Sequence, residues 1–529
     1  MISIPNLKLA PGADEAALKA LAAKALKIPA GDITGLRIRK KSLDARRKDD
    51  IHYVYTVGVT VRGDEQRLVR RCRGAAIVQD KTYPIPRIAP PQTRPVIVGF
   101  GPAGMFAALL LARAGARPIV LERGPDAQTR SAQIAAFRAG GAFDPECNVQ
   151  FGEGGAGTFS DGKLNTGTHD ARIGFVLAEF AAHGAPEHIT YDAKPHIGTD
   201  VLVEVVQSLR REVIARGGEV RFGHRMTGLS TQDGRITALT VRSPDGDYTL
   251  PAQQVILAIG HSARDTFEML HAQGIPMEPK PFSMGVRIEH RQSDINTAQY
   301  GAAERLPAAD YSLSCHLPDG SSAYTFCMCP GGEVFAAASE QGGVCTNGMS
   351  NSRRDGENAN AAVLVTLHPE DFPDKGTLGG MYWQRSIEQR AFRCGGGNYH
   401  APAQRVGDFL AGRASTGPGR VQPTYRPGVT WCDLHDVLPA RITATLAQAL
   451  PAFGQKLRGF DDPDAVLTAP ETRSSSPVRI VRGPDRCSTG VPGLYPCGEG
   501  AGYAGGITSA AVDGLRCAEC VIKALQNEA

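Results

Sequence analysis

The sequence predicts an α/β protein in three parts: a small N-terminal α+β domain, a discontinuous domain of strand–turn–helix units, and an α+β domain inserted within it. Two glycine-rich turns carry the central part. Val96-Ile97-Val98 enters Gly99-Phe100-Gly101-Pro102-Ala103-Gly104 and a helical stretch, and a second apolar run then closes on Glu122-Arg123. Near the other end, Leu494-Tyr495-Pro496 enters Gly498 to Gly506. Uneven charge marks off the first part: residues 1–90 hold 18 Lys and Arg against 9 Asp and Glu, and the remainder holds 40 against 45.

Within residues 1–90, Ala13–Leu26 has helical spacing and Ile51–Val61 alternates as a strand. The run Arg37, Arg39, Lys40, Lys41, Arg46, Arg47 and Lys48 suits either contact with nucleic-acid phosphates or a solvated face. Tyr83-Pro84-Ile85-Pro86 to Pro90-Pro91 reads as a linker.

The first turn carries the dinucleotide fingerprint of a Rossmann-like unit. Gly99 permits the tight turn, Gly101 lets backbone approach a pyrophosphate, and Gly104 lets helix and strand pack closely. Pro102 and Ala103 precede the helix Met105–Ala114, whose positive dipole end faces phosphates. Glu122, 18 positions beyond Gly104, can accept both ribose hydroxyls of an adenosine, with Arg123 beside it. NAD and FAD share this pattern. The loop 150–164 is too glycine-rich for an element interior, and it offers Gly157, Thr158, Ser160 and Lys163 as ligand contacts.

Lys194 to Asp200 precedes a helix expected over Asp200–Arg216, with Thr199 or Asp200 as its N-cap and His196 as a candidate acid. Strands are expected near Glu219–Phe222, Ile236–Arg242 and Val255–Ile259, the last ending at Gly260. These boundaries place the first part of the nucleotide domain at 94–279, the insertion at 280–485 and the second part at 486–529. The insertion offers Arg287 and Arg473 for a substrate anion, with Arg479 also available, and Cys327 and Cys329 beside the pocket. The twelve cysteines lack framework or zinc spacing, so free thiols in a cytoplasmic protein without a metal are expected. No run of 18 apolar residues or signal-peptide pattern is seen.

Gly500-x-Gly502-x-x-Gly505 also fits the nucleotide pattern, but the 24 residues after Gly505 are too few for another complete unit. The segment Gly493–Gly514 instead resembles the second FAD motif of glutathione-reductase-class flavoproteins. That resemblance implies that Glu499 holds the ribityl chain, and that Gly498, Gly506, Ile507 and Thr508 surround the flavin ring. Gln254–Gly260 is similar to the strand that recrosses the FAD site in this class. With 151–164, 194–200, 327–332, 346–350, 395–404 and 471–480, these strings resemble bacterial FAD-dependent dehydrogenases of largely unassigned substrate. Arg291 departs from the proline expected there.

The resemblance implies an FAD-dependent oxidoreductase acting on a small organic substrate, with NADH or NADPH as a transient donor. Two alternatives stand beside it: a flavin-dependent RNA-modifying enzyme using residues 1–90, and a flavin redox sensor or electron-transfer protein. The oligomeric state stays open.

Overall fold

The computed structural model describes residues 1–79 and 82–528. Five short strands form an all-parallel sheet in the order Leu494–Pro496, Val255–Leu257, Val96–Val98, Ile119–Glu122, Glu219–Phe222. All but the last are buried and, save for the terminal Glu122, apolar, as strands covered on both faces must be. Helices Pro102–Ala114 and Ile507–Glu528 pack together on this sheet. Glycine makes that contact possible: a Cβ at Gly514 would lie 2.0 Å from the Ala103 carbonyl oxygen, and one at Gly104 only 1.9 Å from that of Gly99.

A second, mixed sheet of seven strands runs Ser314–His316, Ser322–Cys329, Asn358–Leu367, Phe282–Arg291, Val466–Glu471, Ala401–Arg405, Val429–Trp431. Its central strands Phe282–Arg291 and Asn358–Leu367 pair residue for residue over their whole length. Helix Ala440–Lys456 covers this sheet with Ile442, Leu446, Leu450 and Phe453. A smaller antiparallel sheet, Arg225–Gln232, Arg235–Ser243 and Gly246–Pro251, flanks the parallel one.

The N-terminal residues form a four-stranded antiparallel sheet with helix Ala17–Leu26 against it, burying Leu18, Leu26, Val57 and Val59. Its edge strand Ile33–Asp44 is covered by residues 191–193: Lys41 N–H donates to Tyr191 O, and Ala193 N–H donates to Lys41 O, each at 2.8 Å. Much of the basic run is paired internally. Lys41 bonds Glu15, Arg46 bonds Asp44 and Arg47 bonds Asp49.

Several expected element bounds move. The first nucleotide helix starts at Pro102, because proline suits the first helical position. The helix after His196 is Thr199–Ala215, and neither Thr199 nor Asp200 caps it. Gly198 occupies the cap at φ 87°, while Thr199 donates to Ser160 O at 2.8 Å and Asp200 accepts from Ser352. No helix among the described residues is long and apolar enough to cross a membrane.

Candidate active site

The carboxyl ends of the parallel strands open into a cavity of about 490 Å³, whose far wall belongs to the seven-stranded sheet. Open parallel sheets bind ligands at this end. The turns after three strands and the start of helix Ile507–Glu528 converge there. Gly99, Gly101, Pro102, Ala103, Glu122, Arg123, Gly157, Ser160, Lys163, Gly260, Gly498, Glu499, Gly506 and Ile507 all line it.

Three expected cofactor contacts sit behind the wall. Gly104 packs on Gly99. Thr158 is buried against Glu153, and the Thr508 hydroxyl donates to Leu164 O at 2.7 Å. A side chain on Thr508 holds the loop to the helix start; it is not a lining group.

Glu122 is 5 % exposed and accepts from the N–H groups of Phe100, Gly124 and Gly152 at 2.8, 3.0 and 2.9 Å. Its carboxylate therefore ties the first turn to the 150s loop while facing the cavity. Arg123 stacks 4.0 Å over Phe151 and pairs with Glu146 and Asp265. The first-turn N–H groups of helix Pro102–Ala114 lack an intrahelical acceptor, as in any helix, and no N-cap side chain satisfies them.

The glycine cradle fits a flat, phosphate-bearing ligand. A Cβ at Gly260, Gly505 or Gly506 would meet nothing within 4 Å, although all three line the cavity. Absent side chains there leave room for something other than protein. His261, unremarked in the sequence, adds a buried Nε2 without a partner, with its Nδ1 3.4 Å from Glu499.

The opposite wall is polar and buried. Glu471 ends the apolar strand Val466–Glu471 and is 3 % exposed. Burial pushes its pKa up to about 8, against the pull of Arg287 at 3.3 Å. Tyr311 places an unpartnered hydroxyl in this wall. Asp161 is held by Lys163 and Arg354; burial opposes its ionisation, and the two cations outweigh burial and keep it below the usual carboxylate range.

Of the four substrate-side candidates and the candidate acid His196, Cys327 and Arg473 line the cavity and the other three do not. Arg287 does not line the cavity: wholly buried, it donates to Asn360 and to Cys327 O and braces Glu471. Arg473 lines the cavity but is committed to Glu388 and Ser339. Cys329 lies behind the wall and Cys327 in it. His196 is not a wall residue; its Nε2 lies 3.1 Å from Ser352 O, and burial together with Arg354 lowers its pKa.

Cys497, Asp513 and Cys517 bring ligand atoms within 4.8 Å of one another. Arg482 borders that group, bonding both Asp513 oxygens and lying 3.6 Å from Cys517 Sγ. A guanidinium so placed satisfies the carboxylate and opposes a cation.

Comparison with known proteins supplies the class. A family model described as an FAD binding domain matches residues 92–267. A model described as FAD-dependent protein, C-terminal domain-like, matches 281–474, and a domain of unknown function matches 1–60. An uncharacterized protein of Clostridium beijerinckii is 45% identical over 530 residues, covering 99% of this chain and 98% of that protein. Among solved structures, the glycerol-3-phosphate dehydrogenase from Bacillus halodurans complexed with FAD is 11% identical, with 83% of this chain and 65% of its own length covered and a TM-score of 0.36. A geranylgeranyl bacteriochlorophyll reductase-like protein from Thermoplasma acidophilum is 12% identical, with 82% and 79% covered and a TM-score of 0.38.

The protein is an FAD-dependent oxidoreductase. It belongs to the bacterial FAD-dependent family that includes the Clostridium protein.

Proposed function

We propose that the enzyme exchanges a hydride between flavin and a small organic substrate held against the polar wall of the cavity. One observation carries this reading: a single cavity is lined by glycine-rich turns on one side and by Glu471, Tyr311 and Cys327 on the other. In this reading Gly99, Gly101, Pro102 and Ala103 receive the pyrophosphate, Glu122 the adenosine ribose, and Glu499 with Gly506 and Ile507 the ribityl and ring portions. FAD, when bound, supplies the hydride acceptor or donor.

The chain's own residues do the rest. The N-terminus of helix Ile507–Glu528 favours negative charge on whatever faces it. Glu471, protonated at neutral pH, exchanges a proton with the substrate atom that gains or loses one. Tyr311 Oη offers a hydrogen bond to the substrate's polar group. Arg287 positions Glu471 from behind without reaching the cavity. The seven-stranded sheet closes the cavity's far wall and limits water there.

The test is anaerobic reduction of the purified yellow protein, with bleaching followed separately for NADH and NADPH. Bleaching by either nucleotide, followed by reoxidation with an enone or quinone, is the expected result for a reductase. Bleaching by an organic donor alone is expected for a dehydrogenase. Flavin that responds only to a protein partner would overturn small-molecule hydride transfer.

A further inference from the structure

The N-terminal sheet meets the rest of the chain beside the cavity's opening. Lys194 and Asp310 both line the cavity, and Lys194 Nζ donates to both Asp310 oxygens at 2.8 Å. The Lys194 side chain is 70 % exposed, so the pair stands where the cavity meets solvent. An ion pair this exposed holds little by itself.

The two segments that carry the pair have no regular structure to hold them: residues 191–198 and 301–313 contain no helix or strand. One end of each is tied to its own domain. Leu164 N–H donates to Pro195 O at 2.9 Å, and Gln299 Nε2 donates to Asp310 O at 2.8 Å. The other end of each rests on the N-terminal domain.

On one side Lys41 adds residues 191–193 to the edge of its sheet through bonds to Tyr191 and Ala193, and Lys194 is the next residue. A residue has one backbone N–H, so Lys41 spends its own on this contact. Its side chain is fixed as well, paired with Glu15 and lying over the Tyr53 and Tyr55 rings. On the other side, a Cβ at Gly301 would lie 3.6 Å from Lys48 Cδ, and one at Gly12 3.6 Å from Arg305 Cδ. Leu43, Ala45 and Ile51 pack on the apolar core that contains Tyr300 and Tyr311. One small domain thus grips both sides of one opening.

We propose that the N-terminal domain is the scaffold of the cavity's entrance: it sets the separation of segments 191–194 and 301–312, where Lys194 and Asp310 meet, and so limits the size of substrate that reaches the flavin. Lys41 acts as a positioning residue through its backbone, and Lys194 with Asp310 forms the rim. This gives a task to residues 1–60, which match a domain of unknown function.

The proposal rests on the reading that the flavin ring faces this cavity. The full-length holoenzyme is reduced anaerobically with one equivalent of dithionite and mixed with duroquinone, which has one ring, or with 9,10-phenanthrenequinone, which has three. The measured quantity is the ratio of the two second-order reoxidation rates, three rings over one. Asp310→Ala opens the rim and should raise that ratio about threefold or more. Lys41→Pro removes the N–H given to Tyr191, at an edge position where proline is tolerated, and should do the same. Lys41→Ala keeps that N–H and should match wild type. Amide exchange is followed in parallel: Ala193 N–H should be protected in wild type and exchange about tenfold faster in Lys41→Pro. An unaltered ratio in Asp310→Ala, or a wild-type Ala193 amide that exchanges like an unbonded loop amide, overturns the proposal. Those two results decide if Lys41→Pro fails to fold. Flavin reached by neither quinone overturns the reading of the cavity and this proposal together, whereas reoxidation by both with unaltered ratios overturns this proposal alone.

Discussion

A carboxyl group shut away from water resists ionisation, and Glu471 is that case: an acid at the end of a buried strand, facing the cavity. Its acid form is populated below about 8, so a step that draws on its proton should slow as pH rises through that value. Glu471→Gln keeps the shape and removes the proton exchange. The expected loss is about 10²–10³-fold in flavin reoxidation by a quinone acceptor, with flavin content unchanged. An unaltered rate and pH profile would remove Glu471 from the chemistry. The sequence made Glu122 legible because its place follows from a fixed distance to Gly104. Glu471 has no such spacing rule; it stood only at the head of the 471–480 string. His196 shows the reverse error, a titratable residue in a promising loop that turns to a backbone carbonyl.

At the scale of elements, helix Gly379–Cys394 is pinned by Glu388, which is 2 % exposed and bonded by Arg264 and Arg473. Burial opposes ionisation of Glu388, yet the two guanidiniums hold its pKa far below the unfolded value of 4.5. Its pH-linked stabilisation is therefore present above that value and is lost as pH falls below it. Glu388→Gln leaves two buried guanidiniums facing a neutral amide and should cost about 3–5 kcal/mol, read as a lower urea midpoint at pH 7. A change under 1 kcal/mol would mean that the arginines find other partners. The turn into helix Ile507–Glu528 responds differently. Gly505 has a backbone open to any residue and free space beyond its Cβ, so Gly505→Val should fold normally and lose flavin. Retention of full colour would show that the cofactor does not use this space. Periodicity located most of these elements, but caps were less readable. The Thr199 hydroxyl is taken by Ser160 O, a contact that no local pattern encodes.

At the scale of the whole molecule, strands from residues 96 to 257 and 494 to 496 share one sheet, while the intervening chain supplies the layer across the cavity. Glycine spacing and short apolar runs revealed the first layer in the sequence. The seven-stranded layer was not readable in that detail, because its order depends on pairings between strands far apart in the chain. Nor was the closure between the layers. Segment 352–354 reaches across to the 160s loop and the start of helix Thr199–Ala215: Arg354 bonds Asp161 through both oxygens, and Ser352 bonds Asp200 and receives His196. Arg354→Met removes the better-directed of the two cations on an almost wholly buried carboxylate, so the cost falls on the closed arrangement. FAD dissociation, followed by fluorescence after dilution, should accelerate about tenfold, which corresponds to about 1.4 kcal/mol. If the contact acts as a clamp, Asp161→Asn and Arg354→Met should combine less than additively, the part that does add being the pair of Asp161 with Lys163. Full additivity in the dissociation rate would show instead that Asp161 and Arg354 hold the cofactor side independently, with no clamp between the layers.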